Sequence, residues 1–401
     1  MTTTDGPATG TDADERRVLA LLDELFESAD PVDAVAFLGR QYDLGLAWVH
    51  FPEGFGGLGL SPKLQSVIGR EVAARHGAFT PLESVIGMGM GAPTVVTHGS
   101  EAQKRRYLRP LFTGEEVWCQ MFSEPGAGSD VAGLSTRAER DGDEWVVNGQ
   151  KVWTSFAHVA RWGMLVARTD PEAVKHKGMT YFVVDMHAPG VEVRPLRQMT
   201  GGAEFNEVYF TDVRIPDGER LSDVGDGWRV ALTTLMNERV AIGGASAPKR
   251  GTGAIRFAVD AWQAADRSSP AERARREEVM RLWAEAEVMR LTNVRASQMR
   301  RVGTPGPEGS IGKLHMAEHN KALMASVMNL MGADGMLYGS YDAPPERAYS
   351  DARTYFLRVR ANSIEGGTSE VMRNILGERS LGLPGDVRAD KDLPWSKVPR
   401  N

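Results

Sequence analysis

The segment Cys119 to Asp130, reading CQMFSEPGAGSD, gathers groups that can hold a ligand. Ser123 and Ser129 bring hydroxyls, Glu124 and Asp130 bring carboxylates, and Gly126 and Gly128 flank Ala127 just after Pro125. Glycines so spaced are expected to let the backbone take tight or positive-φ conformations and approach a ligand closely. The hydroxyls and exposed N–H groups of such a turn suit a ring edge or a phosphate. Most Gly/Pro/Ser clusters are ordinary surface loops, so the surrounding chain has to decide.

A chain of 401 residues is long for one core and predicts two or three domains. Hydrophobic content of 42% and charged content of 25% are those of an ordinary soluble globular protein. A net charge of −6 without basic runs argues against nucleic acid or anionic membrane as a partner. The single cysteine, Cys119, rules out an internal disulfide and reads as a small buried hydrophobe at a strand end. No metal site is expected. The polar N-terminus MTTTDGPATGTDADER has no apolar signal-peptide core, and no stretch is long and apolar enough to span a bilayer. The expectation is a cytoplasmic enzyme.

The elements that must position the Ser/Gly segment change character along the chain. Asp14 to Ser28 places Val18, Leu21, Leu22 and Leu25 on one helical face, and Asp30-Pro31 starts another helix. Helical patterns follow over Lys63–Arg75, Ser84–His98 and Glu101–Phe112. From about Glu115 to Ile215 the pattern turns to strands: TRAER, the turn DGDE and WVVNGQKVW form a hairpin, and WGMLVART, MTYFVVDM, VEVRPLR and NEVYFTDVRI follow. Helix returns over Trp228–Ile242, Ala271–Arg300, Gly309–Met331 and Ser369–Arg379. The reading is an α+β chain with an N-terminal helical domain (1–114), a middle β domain (115–222), a C-terminal helical domain (223–383) and an extended tail (384–401). That tail reads as a disordered segment or an arm on a partner, with Trp395 its only sizeable anchor.

With these blocks in place, Ser123–Asp130 resembles the TEPxAGSD-type flavin-binding signature of the acyl-CoA dehydrogenase family. KVWTSFA from Lys151, FNEVYFTDVRIP from Phe205, GDGWRVALTTLMNER from Gly225 and IEGGTSEVMRN from Ile364 resemble further family segments, in family order. The resemblance implies a helical domain, a β-barrel-like domain and a four-helix bundle. It further implies FAD as cofactor, an acyl-CoA substrate dehydrogenated between Cα and Cβ, and an electron-transfer flavoprotein as acceptor.

The same resemblance implies residue roles. Gln120, Phe122, Ser123, Gly128 and Ser129 would line the flavin and its pyrophosphate, with Ser129 also near the CoA arm. Trp153, Thr154 and Ser155 would cover the opposite side of the ring system. Thr368 and Glu370 would contact FAD from the C-terminal signature, and Asn329 and Gly332 would reach a neighbouring subunit's FAD, which implies a homodimer or homotetramer. The family places its catalytic glutamate in one of two spots. Counting back from Thr368 reaches Gly366, with Glu365 one residue further out; counting forward from Gly225-Asp226-Gly227 reaches Glu238. Glu238 is therefore expected as the base, as in isovaleryl- and long-chain-type enzymes, with Glu365 the alternative and Gly366 lending a backbone N–H. An exposed helix glutamate is the commoner reading of any Glu, but Leu235, Met236 and Val240 flank this one. Met236, Asn237 and Arg239 would contact the substrate.

One family motif, Arg-x-x-Phe-Gly after the first bundle helix, is not recognisable; the region reads RFAVDAWQAADRSSP. Its arginine normally reaches FAD pyrophosphate across a subunit interface, so its absence points to a variant site or a heteromeric partner. Alternatives on the same fold are a flavin oxidase or N-hydroxylating monooxygenase, or a non-catalytic partner subunit. Gly87, Gly89 and Gly91, alternate residues of SVIGMGMGAPTVV, are expected to give either room for a bulky acyl group or tight helix packing.

Overall fold

The computed structural model describes residues 10–76, 85–242, 249–265, 272–301, 307–337, 351–385, 387–388 and 390–399, without the side chains of 10–11, 239–242, 272 and 300–301. Helix α1 (Gly10–Ser28) follows the predicted spacing: Val18, Leu22 and Leu25 are fully buried and pack with Phe37, Leu46, Val49 and Ile68. Helix α2 (Ala34–Asp43) is capped by Asp33, whose side chain accepts from the Ala36 N–H at 3.1 Å. Helix α3 (Gln65–Arg75), a π-helical turn (Gly87–Gly91), α4 (Ala92–His98) and α5 (Glu101–Thr113) complete the first domain. The predicted start at Ser84 lies outside the described residues. Ser100 and Gln103 form a capping box that opens α5, and left-handed Gly114 (φ 79°) closes it.

The glycines of the π-turn are packing devices. A Cβ at Gly87 would come within 3.2 Å of Leu111, and one at Gly91 within 3.4 Å of both Leu111 and Trp118. Their missing side chains are filled by neighbours, which favours tight packing over room for an acyl group at those two positions.

The middle domain is an eight-stranded sheet ordered β6-β7-β3-β2-β4-β5-β8, with β1 parallel beside β4. The strands are β1 (Trp118–Met121), β2 (Arg137–Asp141), β3 (Glu144–Ser155), β4 (Trp162–Arg168), β5 (Met179–Asp185), β6 (Val191–Leu196), β7 (Phe205–Pro216) and β8 (Arg220–Leu221). The predicted hairpin is β2–β3, turned at Gly142 (φ 66°). Period-two alternation gives the sheet two buried faces. Met164 and Val166 of β4 face the helices, whereas Leu165 and Ala167 enter a second core with Trp145, Val147 and Val213. Cys119 is wholly buried, and burial pushes its thiol pKa up, so it is an inert core residue as expected.

The C-terminal domain holds α6 (Gly227–Ile242), α7 (Ile255–Ala264), α8 (Glu272–Arg301), α9 (Glu308–Met331), α10 (Ala352–Arg358) and α11 (Ser369–Ser380). Helix α9 packs on α7, α8, α10 and α11 and is the hub of this bundle. Among the described residues no helix is long and apolar enough to cross a membrane.

The tail lies back on this chain's own middle domain instead of running free or onto a partner. Trp395 N–H donates to Ala173 O and Ser396 N–H to Pro171 O, both at 2.9 Å. The Trp395 ring sits under the Arg168 guanidinium at 4.7 Å, and its indole N–H donates to Gly133 O at 3.2 Å. Trp395→Ala is expected to free this segment: hydrogen exchange at the Trp395 and Ser396 amides should accelerate while the sheet amides stay protected. Unchanged exchange at those two amides would show that the ring is not the anchor.

Candidate functional site

The Ser/Gly loop is closed at its neck by two backbone bonds, Glu124 N–H to Ala127 O and Ala127 N–H to Glu124 O, each 3.0 Å. Of the two conformations expected at Gly126 and Gly128, tight or positive-φ, the loop takes the tight one; neither is among the left-handed residues. A Cβ on either would meet no protein atom within 4 Å. The two glycines thus leave open space on the loop's outer side, room into which a ligand can come close to the backbone.

A buried ion pair ties this loop to strand β3. Lys151, completely buried, donates to Glu124 Oε1 at 2.8 Å and to Phe122 O at 3.1 Å. Glu124 also accepts the N–H groups of Ser135 at 2.6 Å and Thr136 at 2.9 Å. Burial opposes ionisation of Glu124, but Lys151 and these donors outweigh it and hold the carboxyl below its ordinary value. Burial likewise pushes the Lys151 ammonium down, against the pull of Glu124. Val152 N–H donates to Ser123 O at 2.9 Å, which completes the seam.

Beyond Lys151 the β3–β7 register breaks, and Trp153 (φ 62°) bulges out of the strand. Its ring is 60% exposed and meets Phe205 edge-on at 6.1 Å. Thr154 turns inward, fully buried, with no hydrogen-bond partner for its Oγ1. Ser155 is half-buried beside it. Phe122 points its ring into the core against Tyr181 at 5.8 Å, and its carbonyl is taken by Lys151, so only its N–H side faces the loop.

Helix α6 brings a carboxylate to this seam. Val230 and Thr234 are fully buried, and Glu238 continues their i+4 row on the core-facing side. Gln120 Nε2 on β1 donates to Glu238 Oε2 at 3.4 Å. Below Glu238, Thr234 Oγ1 lies 2.9 Å from Thr94 Oγ1 and 3.1 Å from the Tyr181 hydroxyl, which fixes the helix against the sheet and α4. Met236 lies on the exposed side, 66% accessible, and Asn237 spends its amide on Thr233 O at 2.8 Å. The Arg239 side chain lies outside the described residues.

The second carboxylate is engaged. Glu365 accepts two bonds from Arg358, at 3.1 and 2.8 Å, and one from Asn362 Nδ2 at 2.8 Å. Gly366 (φ 63°) and Gly367 (φ 95°) follow in left-handed conformation. Thr368 Oγ1 is the N-cap of α11, accepting from Val371 N–H at 3.1 Å, while Glu370 is exposed and paired with Arg373. Asn329 and Gly332 lie exposed at the end of α9, on the bundle.

Ser129 opens onto a cleft of about 640 Å³, lined also by His176, Trp228, Arg388 and Asp390. Lys175 joins its two sides, pairing with Asp130 at 2.9 Å and with Asp390 of the tail at 2.5 Å. His176 packs edge-on to Trp228 at 4.9 Å; burial, then Arg388 and Lys175, keep its imidazole toward the neutral form. Neither Lys175 nor the tail's Arg388 and Asp390 stood out in the sequence. Among the described residues no cluster of three or more metal ligands occurs.

Models of the acyl-CoA dehydrogenase N-terminal, middle and C-terminal domains match residues 15–115, 119–213 and 225–381. Acyl-CoA dehydrogenase IpdE1 of Mycobacterium tuberculosis is 37% identical over 345 residues, 86% of each chain. The chain belongs to the acyl-CoA dehydrogenase family. Members are FAD-dependent oxidoreductases, and this chain carries the family's helical, sheet and helical domains. Acyl-CoA dehydrogenase FadE34 of M. tuberculosis is 40% identical over 85% of this chain, which spans only 45% of that protein's length. Among solved structures, the Tcur3481-Tcur3483 steroid ACAD superposes with a TM-score of 0.71 at 27% identity, covering 95% of this chain and 100% of its own.

The residues present fit a flavin. The orphaned Thr154 hydroxyl, the exposed bulged indole of Trp153 and the open face of the Gly126–Gly128 loop converge on one seam. They offer a ring system a hydrogen-bond partner, an aromatic cover and close backbone approach.

Proposed function

We propose that this acyl-CoA dehydrogenase removes the α-proton of an acyl-CoA thioester with Glu238 and works beside a second, dehydrogenase-like chain. One observation carries the choice of base: Glu238 sits on the buried row of α6 against Gln120, whereas Glu365 is held by Arg358 and Asn362. A carboxylate already held by a bidentate guanidinium and an amide is not free to reach a substrate proton.

The chain's own residues then have defined tasks. Glu238 takes the proton from Cα. The Gly366 N–H donates to the thioester oxygen and stabilises the charge that builds there. Ser129 and the cleft beside it receive the CoA arm, and the Lys151–Glu124 pair keeps the two flavin-facing segments in register. FAD, when bound, supplies the acceptor for the β-hydride, so that Cα and Cβ are left doubly bonded. An electron-transfer flavoprotein is the proposed final acceptor.

Two findings support a heteromer. The Arg-x-x-Phe-Gly motif is missing from the region of α7, so a pyrophosphate contact must come from elsewhere. The relative FadE34 is more than long enough for a second unit, since this chain spans 45% of it, and the steroid ACAD bears two component names. The name of that steroid ACAD also supports a bulky, steroid-derived acyl group as the substrate class.

Anaerobic titration with acyl-CoAs tests the reading. Purified with its partner, the protein is expected to be yellow and to bleach with steroid-side-chain or other bulky CoA thioesters in preference to straight-chain ones. Colourless protein in that complex would assign this chain a non-catalytic role, and a clear straight-chain preference would sink the bulky-substrate reading.

A further inference from the structure

One buried charge has no task in this scheme. Lys313 on α9 is 7% exposed, and its Nζ donates to Asn362 O at 2.7 Å and Gly367 O at 2.6 Å. These carbonyls bracket the turn that contains Glu365 and Gly366. Its other fastenings come from the same side: Asn320 of α9 donates to Asn362 Oδ1 at 3.2 Å, and Arg358 and Asn362 hold Glu365. Two successive left-handed glycines have soft backbones, so the direction of the Gly366 N–H depends on what grips the turn's ends. Lys313 grips both.

Four carboxylates act electrostatically on the same ammonium: Glu365 on the turn, Glu318 on α9, Glu238 on α6 and Glu370 on α11. Burial lowers the Lys313 pKa most, and these four charges act against it. An ammonium drawn out of water to hold two neutral carbonyls is costly unless its charge is used.

We propose that Lys313 is a positioning residue, stapling the Asn362–Gly367 turn so that the Gly366 N–H meets the thioester oxygen. This rests on the role given above to Gly366, and the test separates the staple from the base assignment.

The test uses the flavin-loaded protein and an acyl-CoA labelled with ¹³C at the carbonyl. Binding to wild type lowers the infrared carbonyl stretch. Lys313→Met is expected to retain FAD, to lose most of that shift, and to drop kcat by about tenfold or more with KM changed by less than about threefold. Lys313→Arg should restore the shift. A full carbonyl shift in Lys313→Met overturns the staple. If that variant does not fold, Lys313→Gln, which is too short to hold both carbonyls, is read for the same carbonyl shift, and a full shift overturns the proposal. Glu238→Gln that still bleaches, together with a lost shift in Lys313→Met, would remove the base assignment and leave the staple standing.

Discussion

Glu238→Gln is expected to bind FAD normally and to bleach with substrate slower by a factor of about 10²–10⁴, the usual loss on removing a general base. Glutamine keeps the size and the contact to Gln120 Nε2 at 3.4 Å, so the seam between β1 and α6 should survive. What goes is the negative charge and, with it, the capacity to accept a proton. Glu365→Gln is the matched control. Its carboxylate is saturated by Arg358 and Asn362, so the variant should keep bleaching while losing some stability of the turn. Stopped-flow measurement of flavin reduction distinguishes them, and the reverse ranking would transfer the base to Glu365.

The second large effect concerns folding. Glu124→Ala should cost about 3–5 kcal/mol, the range for removing one partner of a buried ion pair. The cost arises because Lys151 is wholly buried and would keep only Phe122 O, while the Ser135 and Thr136 N–H groups would be stranded. Replacing both partners, as Glu124→Leu with Lys151→Met, should recover much of the loss, since no uncompensated charge then remains. Urea unfolding followed by tryptophan fluorescence reads both; a single-variant loss under about 1 kcal/mol would show that the pair contributes little. The pH dependence has a definite sign. The Glu124 carboxyl is held below its ordinary value in the fold, so its contribution is present above the unfolded pKa and lost as pH falls through the folded one. Glu124→Ala should therefore flatten the acid side of the stability curve.

What was legible in the sequence was local. The stripe Val18, Leu22, Leu25 and the Gly142 hairpin follow from periods of 3.6 and 2 and from turn chemistry, and both are present. The same period of 2 that turns Trp145 and Val147 inward also turns Lys151 inward, a signal of a buried charge that the sequence reading passed over. The close approach expected at the glycines of the Ser/Gly loop is matched by open space beside Gly126 and Gly128, reached through a tight neck and not through positive φ. The left-handed residues that matter include Trp153, whose φ is imposed by a register break between two strands far apart in the chain. Helices α7 and α10, ten and seven residues long, fell below the length at which periodicity separates from chance. The docking of the tail depended on Ala173 and Pro171 being at hand, which only the folded sheet arranges.

The paired left-handed glycines also bear on how such a base can move during evolution. Gly366 is where the family's other glutamate would stand, yet its φ of 63° charges any L-side chain roughly 1–2 kcal/mol. Moving the carboxylate from α6 to position 366 would therefore add that backbone strain, unless the turn were rebuilt and its carbonyls released from Lys313.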